Sequence, residues 1–197
     1  MPGIPEFLDH DLFTVSRLLT PEECGALISR GESFGFEAAS ITTVSGPKML
    51  TGIRNNDRVD LFDDDLLETL WGKVSGIVPD EIDGFRVVGL HPRLRFYRYD
   101  PGQRFKRHRD GRVRTEAGAV SRLTLMIYLN EGTMGGETVF TNYDLTGPVS
   151  QLRTITITPA IGMGLCFLHE LWHEGAVIVS GRKYVLRADV LFAGEPS

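Results

Sequence analysis

Apolar and polar residues alternate along most of the second half of the chain, beginning at about residue 85. The alternation falls into short runs rich in Val, Ile, Thr, Leu and aromatic residues, which Gly, Pro, Asn or Asp separate. A period of two is typical of strands that bury one face, and turn residues at this spacing mark their ends. Seven or eight such runs between residues 85 and 193 predict a β-sandwich or a β-barrel.

A helical pattern replaces the alternation in two segments nearer the N-terminus. The first begins after Thr20, with Pro21 at the first helical position and Glu23 placed to complete a capping box. Gly31 is its predicted end. The second covers residues 63–79, where acidic residues gather at the start and favour the positive end of the helix dipole. Both segments are predicted to pack on the outside of the β-structure.

The segment between the two helices is polar, contains glycine and shows neither period. Long irregular segments in compact domains are often lids or binding loops. We therefore expect Ser40–Arg58 to form a mobile lid, with Arg54, Asn56 and Arg58 contacting the substrate.

The 197 residues suffice for one domain of ordinary size, and no linker, repeat or low-complexity segment divides them. We predict a single domain over residues 1–197, with a helical part over about 1–84 and a β-core over about 85–193. The apolar fraction of 42% and the charged fraction of 24% are typical of a soluble globular protein.

Charge and cysteine content narrow the function classes. The formal net charge of −5 argues against general nucleic-acid binding, which requires a basic domain. No apolar stretch approaches the roughly 18 residues of a membrane span, and the N-terminus lacks the pattern of a signal peptide. Cys24 and Cys166 form no CxxC pair, and two cysteines are too few for a disulfide framework. We therefore expect a cytoplasmic protein with no membrane partner.

A candidate metal site lies in the stretch "RHRDG", where His108 and Asp110 are two residues apart. Residues i and i+2 of a strand point to the same side, so both side chains can reach one point in space. His173 follows 63 residues after Asp110, at the start of another strand-like run. Together they would form a facial triad of two histidines and one carboxylate, which suits non-haem Fe(II). Taken alone, the first pair is weak evidence, because two surface residues in a loop give the same pattern.

The run after His173 places two cations on one face of a predicted strand. Lys183, Val185 and Arg187 alternate with apolar neighbours, so one face is apolar and the other carries both charges. The cations could lie in solvent on a half-exposed strand. Alternatively, they point into a barrel whose outside is covered by helices, where they would bind a dicarboxylate.

Three motifs together resemble the 2-oxoglutarate- and Fe(II)-dependent dioxygenases, in particular the prolyl-4-hydroxylase-like branch. "YDPGQRFKRHRD" is similar to the signature Tyr-x-x-Gly followed by His-x-Asp, and "GGETVF" to the strand Gly-Gly-x-Thr-x-Phe. "HEGAVIVSGRKYVLRADVLF" is similar to the distal histidine followed ten residues later by Lys or Arg. The resemblance covers about residues 86–193. It implies a mainly β fold, a double-stranded β-helix (jelly roll, cupin-like) with the N-terminal helices packed on one sheet.

The resemblance also implies roles and cofactors. The cofactors are Fe(II), 2-oxoglutarate as co-substrate and O2, with ascorbate as an optional reductant. The reaction is hydroxylation of a C–H bond with release of succinate and CO2, and peptidyl proline is the implied substrate. A free amino acid, a small metabolite and a modified nucleobase stay open, because Phe105 replaces a tyrosine that is usual in collagen-type enzymes. The implied site residues are His108, Asp110 and His173 for iron, Lys183 with Arg187 as the lesser partner for the distal carboxylate of 2-oxoglutarate, and Tyr99 and Thr138 for further hydrogen bonds to it.

Two other function classes compete with the oxygenase. The stretch "HELWH", residues 169–173, matches the HExxH pattern of zinc peptidases, in which Glu170 would be the general base. A cupin-like metal-binding module without turnover is the other. Under the oxygenase hypothesis, His169 is a supporting or structural residue, and Arg107 and Arg109 point away from the metal to pair with acids at the surface. Gly135–Gly136 is then a tight turn with no part in the site.

Overall fold

The computed structural model describes residues 3–39, 41–43, 46–48, 50, 52–144 and 151–194. Within these ranges the chain forms eighteen strands and two helices. In chain order they are β1 (Pro5–Asp9), β2 (Leu12–Val15), α1 (Pro21–Phe34), β3 (Glu37–Ala38), β4 (Ile41–Thr43), β5 (Gly46–Lys48), β6 (Asp57–Phe62), α2 (Asp64–Val74), β7 (Glu81–Ile82), β8 (Phe85–Leu90), β9 (Arg93–Tyr99), β10 (Phe105–His108), β11 (Val120–Tyr128), β12 (Met134–Gly135), β13 (Thr138–Asp144), β14 (Gln151–Ile157), β15 (Gly164–Leu168), β16 (His173–Gly175), β17 (Ile178–Ser180) and β18 (Lys183–Ala193).

Two antiparallel sheets carry the architecture. The large sheet has the order β1-β2-β15-β11-β18-β9-β6-β3, and β8 with β7 extends it along the second half of β18. The small sheet has the order β10-β16-β13-β14, while β12-β17 and β4-β5 form separate hairpins. One cavity is lined by side chains from both sheets, which therefore face each other as in a jelly roll. This arrangement confirms the predicted mainly β fold.

Both helices begin where the sequence predicts and end elsewhere. The capping box at Thr20 is present, with reciprocal hydrogen bonds to Glu23, but α1 continues past Gly31 to Phe34. Gly31 therefore lies inside α1. Packing explains why this residue is a glycine, because a Cβ there would approach Phe96 Cδ1 to 3.2 Å and Phe36 Cζ to 3.3 Å. The helix ends instead at Gly35, whose φ of 78° suits a residue without a side chain.

The second helix is shorter than its pattern. Asp63 caps α2 by accepting a hydrogen bond from the Leu66 amide, but the helix stops at Val74, not near residue 79. Ser75 and Gly76 follow, and both residue types form helices poorly, so the chain continues as turns.

Two hydrophobic clusters lie on the two faces of the large sheet. The outer cluster joins residues of α1 and α2, among them Leu27 and Leu70, to outward-facing side chains such as Phe96 and Leu186. The inner cluster lies between the sheets and contains Phe140 and other large aromatic residues. The helices thus pack on one sheet, as predicted, and leave its inner face for the site.

The N-terminal third was predicted to be helical, but it also completes the large sheet. Strands β1 and β2 extend one edge beyond β15, and β6 pairs with β9 along its full length. The sequence did not predict these strands, because they are short and lack a clear period of two. Their structure depends on pairing with strands that are distant in sequence. Neither α1 nor α2 is long and apolar enough to span a bilayer.

Candidate active site

Three side chains converge where the small sheet faces the large one. His108 ends β10 and His173 begins β16, and these residues are directly opposite each other in the antiparallel pair. Asp110 follows two residues after His108, as the alternation predicted. One ligand atom from each of the three lies within 4.8 Å of the others. The structure therefore brings together the three residues that the sequence selected as metal ligands.

Both imidazoles present Nε2 to the centre of this cluster. His108 Nδ1 lies 2.8 Å from the carbonyl oxygen of Lys106, and His173 Nδ1 lies 3.0 Å from that of Leu171. A carbonyl oxygen only accepts, so each Nδ1 carries the proton and each Nε2 keeps its lone pair. The Nε2 atoms lie 3.7 and 3.8 Å from the Asp110 carboxylate oxygens. Burial lowers the pKa of His108 to about 3 and also lowers that of His173, so both rings are neutral.

Asp110 is a buried and fully ionised carboxylate. Its Oδ1 accepts a 2.6 Å hydrogen bond from Arg187, and its Oδ2 accepts a 2.6 Å hydrogen bond from the Thr124 hydroxyl. Burial alone would raise the pKa of Asp110, but the Arg187 guanidinium, together with the hydrogen bond from Thr124, holds it well below its usual range. Two neutral imidazoles and one carboxylate with open positions form the donor set that non-haem Fe(II) prefers.

Arg187 is itself neutralised. Its guanidinium bonds Asp110 on one side and Asp189 on the other, at 2.9 Å, and Arg95 also pairs with Asp189 at 2.9 Å. Asp189 is fully buried and Arg187 is 9% exposed. Two cations and two carboxylates therefore alternate in one buried network. The sequence placed Arg187 on the cavity face correctly but did not indicate these partners.

Lys183 lies on the same face of β18, at the opposite end of the cavity, and is 3% exposed. Its ammonium donates a 2.5 Å hydrogen bond to the Gly136 carbonyl and lies 5.6 and 5.1 Å from the ring centroids of Tyr99 and Tyr128. Over the described ranges no carboxylate comes within ion-pair distance of Lys183. Burial lowers the pKa of Lys183 to about 7, and the negative charge of Glu137 opposes this only in part.

Gly136 has a part in the site that its sequence did not suggest. Its φ of 80° matches the predicted tight turn, but its carbonyl also accepts the hydrogen bond from Lys183. A Cβ at this position would lie 2.3 Å from Ile178 Cδ1 and 3.4 Å from Lys183 Cδ. The absence of a side chain therefore leaves room for Ile178, while the Gly136 carbonyl holds Lys183, so the expectation that Gly135–Gly136 takes no part in the site was wrong.

Tyr99 and Thr138, the further candidates for the co-substrate, both line the cavity. Tyr128 donates a 2.7 Å hydrogen bond to Thr138 Oγ1, so the proton of the Thr138 hydroxyl stays available to another acceptor. Burial raises the pKa of Tyr99 to about 12, which keeps its hydroxyl a donor. The complete lining consists of Tyr97, Tyr99, Phe105, His108, Asp110, Met126, Thr138, His173, Gly175, Lys183 and Arg187.

Arg54, a predicted substrate residue, lies against the wall of this cavity. Its guanidinium is stacked between the rings of Tyr97 and Phe105, 4.6 and 4.5 Å from their centroids, and Phe105 in turn stacks on His108 at 3.5 Å. Arg54 Nε donates to Asn56 Oδ1 at 2.7 Å. Its Nη2 is buried, and no hydrogen-bond acceptor among the described residues reaches it.

The other two predicted substrate residues lie further from the cavity. Asn56 is fully buried and holds Arg54, while Arg58 lies within β6 and pairs with Asp60 at 3.1 Å. The end of the predicted lid is therefore part of the large sheet. Residues 40, 44, 45, 49 and 51 of that lid lie outside the described residues, so the lid itself stays a prediction.

The HExxH pattern does not form a zinc-peptidase site. Residues 169–172 form a turn between β15 and β16, whereas that motif requires both histidines on one face of a helix. Glu170 is exposed and paired with Arg112, and His169 is turned away from His173 to bond Ser121 and Thr124.

The arginines beside the metal cluster do point away from it, as alternation predicted. Arg107 and Arg109 are exposed, and both guanidinium groups lie over the ring of Trp172, at 4.6 and 4.7 Å. Their partner is thus an aromatic ring, not the acidic neighbours that we expected.

An antiparallel jelly roll with two neutral imidazoles and a carboxylate at one end of its cavity defines the class of non-haem iron oxygenases. Residues 94–188 match the family model described as the 2OG-Fe(II) oxygenase superfamily. The matched segment, just under half of the chain, has the sequence pattern of this superfamily, which uses Fe(II), 2-oxoglutarate and O2. No protein of curated function matches the sequence significantly.

Solved structures of prolyl hydroxylases share the fold. A Pseudomonas putida prolyl-4-hydroxylase matches with a TM-score of 0.65 at 19% identity, over 94% of each chain. The viral collagen prolyl hydroxylase of Paramecium bursaria Chlorella virus-1, solved with 2OG, gives 0.62 at 19% identity over 93% of this chain and 96% of that one. A Trichoplax adhaerens prolyl hydroxylase, solved with a hypoxia-inducible-factor peptide, gives 0.70 at 14% identity over 91% and 83%.

Proposed function

We propose that this Fe(II)- and 2-oxoglutarate-dependent dioxygenase hydroxylates a prolyl residue of a peptide. In the overall reaction, the substrate C–H bond, O2 and 2-oxoglutarate give the C–OH product, succinate and CO2. One observation carries the proposal: a cavity holds a two-histidine, one-carboxylate cluster at one end and, at the other, a buried lysine with no carboxylate of the described residues within ion-pair distance. A metal site paired with an acceptor for a carboxylate fits a chelating keto acid with a second, distal carboxylate.

The three ligand residues are arranged to hold the metal without rearranging. Hydrogen bonds from Nδ1 fix the orientation of His108 and His173, so the Nε2 lone pairs already face the cluster. Asp110 needs no deprotonation, because Arg187 stabilises its ionised form. When bound there, Fe(II) would supply the activation of O2 that couples decarboxylation of 2-oxoglutarate to oxidation of the substrate.

Lys183 is the anchor that we propose for the C5 carboxylate of 2-oxoglutarate. The alternative, Arg187, already bonds two carboxylates and would have to give one up. A distal carboxylate would supply the counter-charge that Lys183 lacks, and burial makes a charge-assisted hydrogen bond strong. The Thr138 hydroxyl has a free proton to donate, and Tyr99 offers a second donor from the facing strand β9. These roles for Lys183, Thr138 and Tyr99 complete the co-substrate half of the site.

For the substrate, the best-placed candidate is Arg54. Its buried Nη2 without an acceptor, beside two rings that line the cavity, suits hydrogen bonding to a peptide carbonyl. In this proposal Asn56 orients Arg54 through its Oδ1 atom, while Arg58 contacts the peptide further out. Two of the proteins with this fold support a peptide substrate: one is a collagen prolyl hydroxylase, and the other was solved with a hypoxia-inducible-factor peptide.

The decisive experiment measures succinate formed from 2-oxoglutarate with Fe(II) and ascorbate, against a panel of proline-containing peptides, free amino acids and small metabolites. We expect succinate in proportion to hydroxylated product with a peptide only. Each peptide is paired with a matched one that has alanine in place of proline. Equal turnover of both members of a pair would reject proline as the target while leaving the oxygenase chemistry intact.

A cytoplasmic location is part of the proposal. Cys24 and Cys166 are both buried free thiols within the outer hydrophobic cluster, which supports a reducing compartment. Fractionation of cells that express the tagged chain, with and without a reductant in the buffer, tests the location.

A further inference from the structure

The second histidine of "HELWH" has its place in the metal cluster, but the first, His169, is unexplained by the oxygenase chemistry. His169 is 1% exposed and lies in the turn after β15. Its Nδ1 lies 2.9 Å from Thr124 Oγ1, and its Nε2 lies 2.9 Å from Ser121 Oγ. Thr124 and Ser121 lie on β11 and are fully buried. A buried polar chain of this kind is costly unless every member is satisfied.

The direction of each hydrogen bond in this chain follows from Asp110. The ionised carboxylate only accepts, so the single hydroxyl proton of Thr124 must point to Asp110 Oδ2, 2.6 Å away. Thr124 Oγ1 can then only accept from His169, which places a proton on Nδ1. Among the described residues no carboxylate lies within hydrogen-bond distance of the His169 ring, so burial favours the neutral form, with Nε2 unprotonated.

The remaining hydrogen bonds give every polar side-chain atom of Ser121 and His169 a partner. His169 Nε2 accepts from the Ser121 hydroxyl, and Ser121 Oγ accepts in turn from the Val113 amide at 2.9 Å. The backbone of residue 169 is tied to the same place, because its carbonyl accepts from the Asp110 amide at 3.0 Å. One residue thus holds Asp110 by its main chain and, through Thr124, by its side chain.

We propose that Ser121, His169 and Thr124 form a one-directional hydrogen-bond relay that fixes the Asp110 carboxylate for metal binding. These are positioning residues, because none of them lines the cavity. With Arg187 holding Oδ1 and Thr124 holding Oδ2, the carboxylate has one orientation and no freedom to rotate about its last bond. The function of the relay as metal support rests on the proposed iron chemistry, whereas the tautomer of His169 does not.

The tautomer gives the first test. Nitrogen-15 histidine spectra of the metal-free chain distinguish a ring protonated at Nδ1 from one protonated at Nε2. We expect the Nδ1–H form in the wild-type protein. In Thr124→Val, which removes the hydroxyl but keeps the shape, the ring loses its acceptor and should switch to the Nε2–H form that donates to Ser121. An Nε2–H ring in the wild type would overturn the proposed direction.

Metal affinity gives the second test, with Co(II) as a probe that is stable in air. Loss of a group that orients a metal ligand typically weakens binding 10- to 100-fold. We expect such a loss in Thr124→Val and in His169→Leu. Thr124→Ser, which keeps the hydroxyl, and His169→Asn, whose amide NH2 lies near the place of Nδ1, should bind within about threefold of wild type. The rescue by both conservative variants separates positioning from mere filling of space.

Thr14→Val is the matched control, because Thr14 is a buried threonine on β2 of the same sheet with no contact to the site. It should leave Co(II) affinity and the His169 tautomer unchanged, and thermal melting of every variant shows that the fold persists. Wild-type Co(II) affinity in Thr124→Val would reject the metal-support role. If the wild-type chain bound no metal while the tautomer was as expected, the proposed function would fail and the relay direction would stand.

Discussion

Along β18, the two ends of the cavity accommodate a buried cation in opposite ways. At one end, Arg187 is bonded to Asp110 and Asp189, and its charge is balanced within the protein. At the other end, Lys183 contacts a carbonyl oxygen and two aromatic rings, and no carboxylate of the described residues lies within ion-pair distance of it. Both side chains leave the same strand four residues apart and are buried to a similar degree. This difference is the reason why we propose that a carboxylate of a ligand binds at the Lys183 end.

A buried charge is tolerated when it is paired and is expensive when it is not. The Arg187 end therefore stabilises the folded chain and prepares Asp110, whereas the Lys183 end stores an unfavourable interaction that an anion would relieve. We expect five experiments to separate the two ends.

The largest effect should come from the ligands beside the paired end. His108→Ala, Asp110→Ala and His173→Ala each remove one of three metal donors, so succinate formation should fall to background while the fold stays intact. A coupled succinate assay and circular dichroism measure both. His10→Ala, an exposed histidine, is the control. Full activity in any of the three ligand variants would contradict the assignment.

Stability should respond at the paired end and not at the other. Arg187→Met leaves Asp110 and Asp189 without their shared cation, and breaking a buried pair costs about 3–5 kcal/mol. Lys183→Met removes an unbalanced charge and should leave the free energy of unfolding unchanged or raise it, when 2-oxoglutarate is absent. Urea unfolding of the two variants measures both free energies of unfolding. Equal destabilisation would mean that Lys183 has an ion-pair partner in the folded protein.

Affinity for 2-oxoglutarate should respond in the reverse order. Loss of one partner of a buried ion pair of about 3–5 kcal/mol corresponds to an apparent KM raised by about two to three decades in Lys183→Ala. Arg187→Ala should raise the KM less if Arg187 acts on 2-oxoglutarate only through the electrostatic potential of the cavity and not through a direct hydrogen bond. Arg182→Met, which changes the exposed neighbour paired with Asp100, should leave the KM unchanged. A raised KM in Arg187→Ala alone would make Arg187 the anchor.

The smallest effect is a pH dependence of co-substrate binding. Burial lowers the pKa of Lys183 to about 7 in the free protein, and a bound carboxylate would raise it again. Above pH 7, binding must then take up a proton, so the Kd for 2-oxoglutarate should rise by up to about tenfold per pH unit. Titration calorimetry of the anaerobic Fe(II) protein checks this, and the slope should vanish in Lys183→Met.

The same shift predicts the stability of the co-substrate-free protein. Between pH 7 and the usual lysine pKa, the unfolded chain binds a proton that the folded chain does not. Stability should therefore rise with pH across this window, which is the opposite of the behaviour of a paired cation. Saturation with 2-oxoglutarate should flatten the slope, and a slope that persists would point to another titrating group.

The parts of this site that sequence could predict are those that depend on local geometry. His108 and Asp110 are two apart on an extended segment, and Lys183 and Arg187 are four apart on a strand, so backbone alternation alone sets their common direction. The start of α1 at Thr20 is equally local. The predicted end of α1 at Gly31 was wrong. This glycine is needed for close packing against the Phe96 ring, which is distant in sequence, and it does not end the helix.

The residues that sequence could not predict depend on pairing between distant strands. The relay requires the register that sets β11 against β15, and nothing local indicates that Thr124 and His169 will meet. The carbonyl of Gly136 and the stacking of Arg54 between two rings arise in the same way. A weak sign existed in β11, where Ser121, Arg122 and Thr124 are polar residues in a strand whose other members are apolar or aromatic.

The direct pairing of His108 with His173 across β10 and β16 also sets an order of events as the chain folds. Joining residues so far apart in sequence requires closure of a long loop, whose entropy cost must be met before the contact forms. A chain released before residue 173 is made has only His108 and Asp110 and cannot complete a three-ligand centre. Metal uptake is therefore a late step that follows closure of the small sheet, and bound metal then stabilises the native chain by mass action. Iron loading should accordingly report on finished folding, and unfolding of the small sheet alone should release the metal.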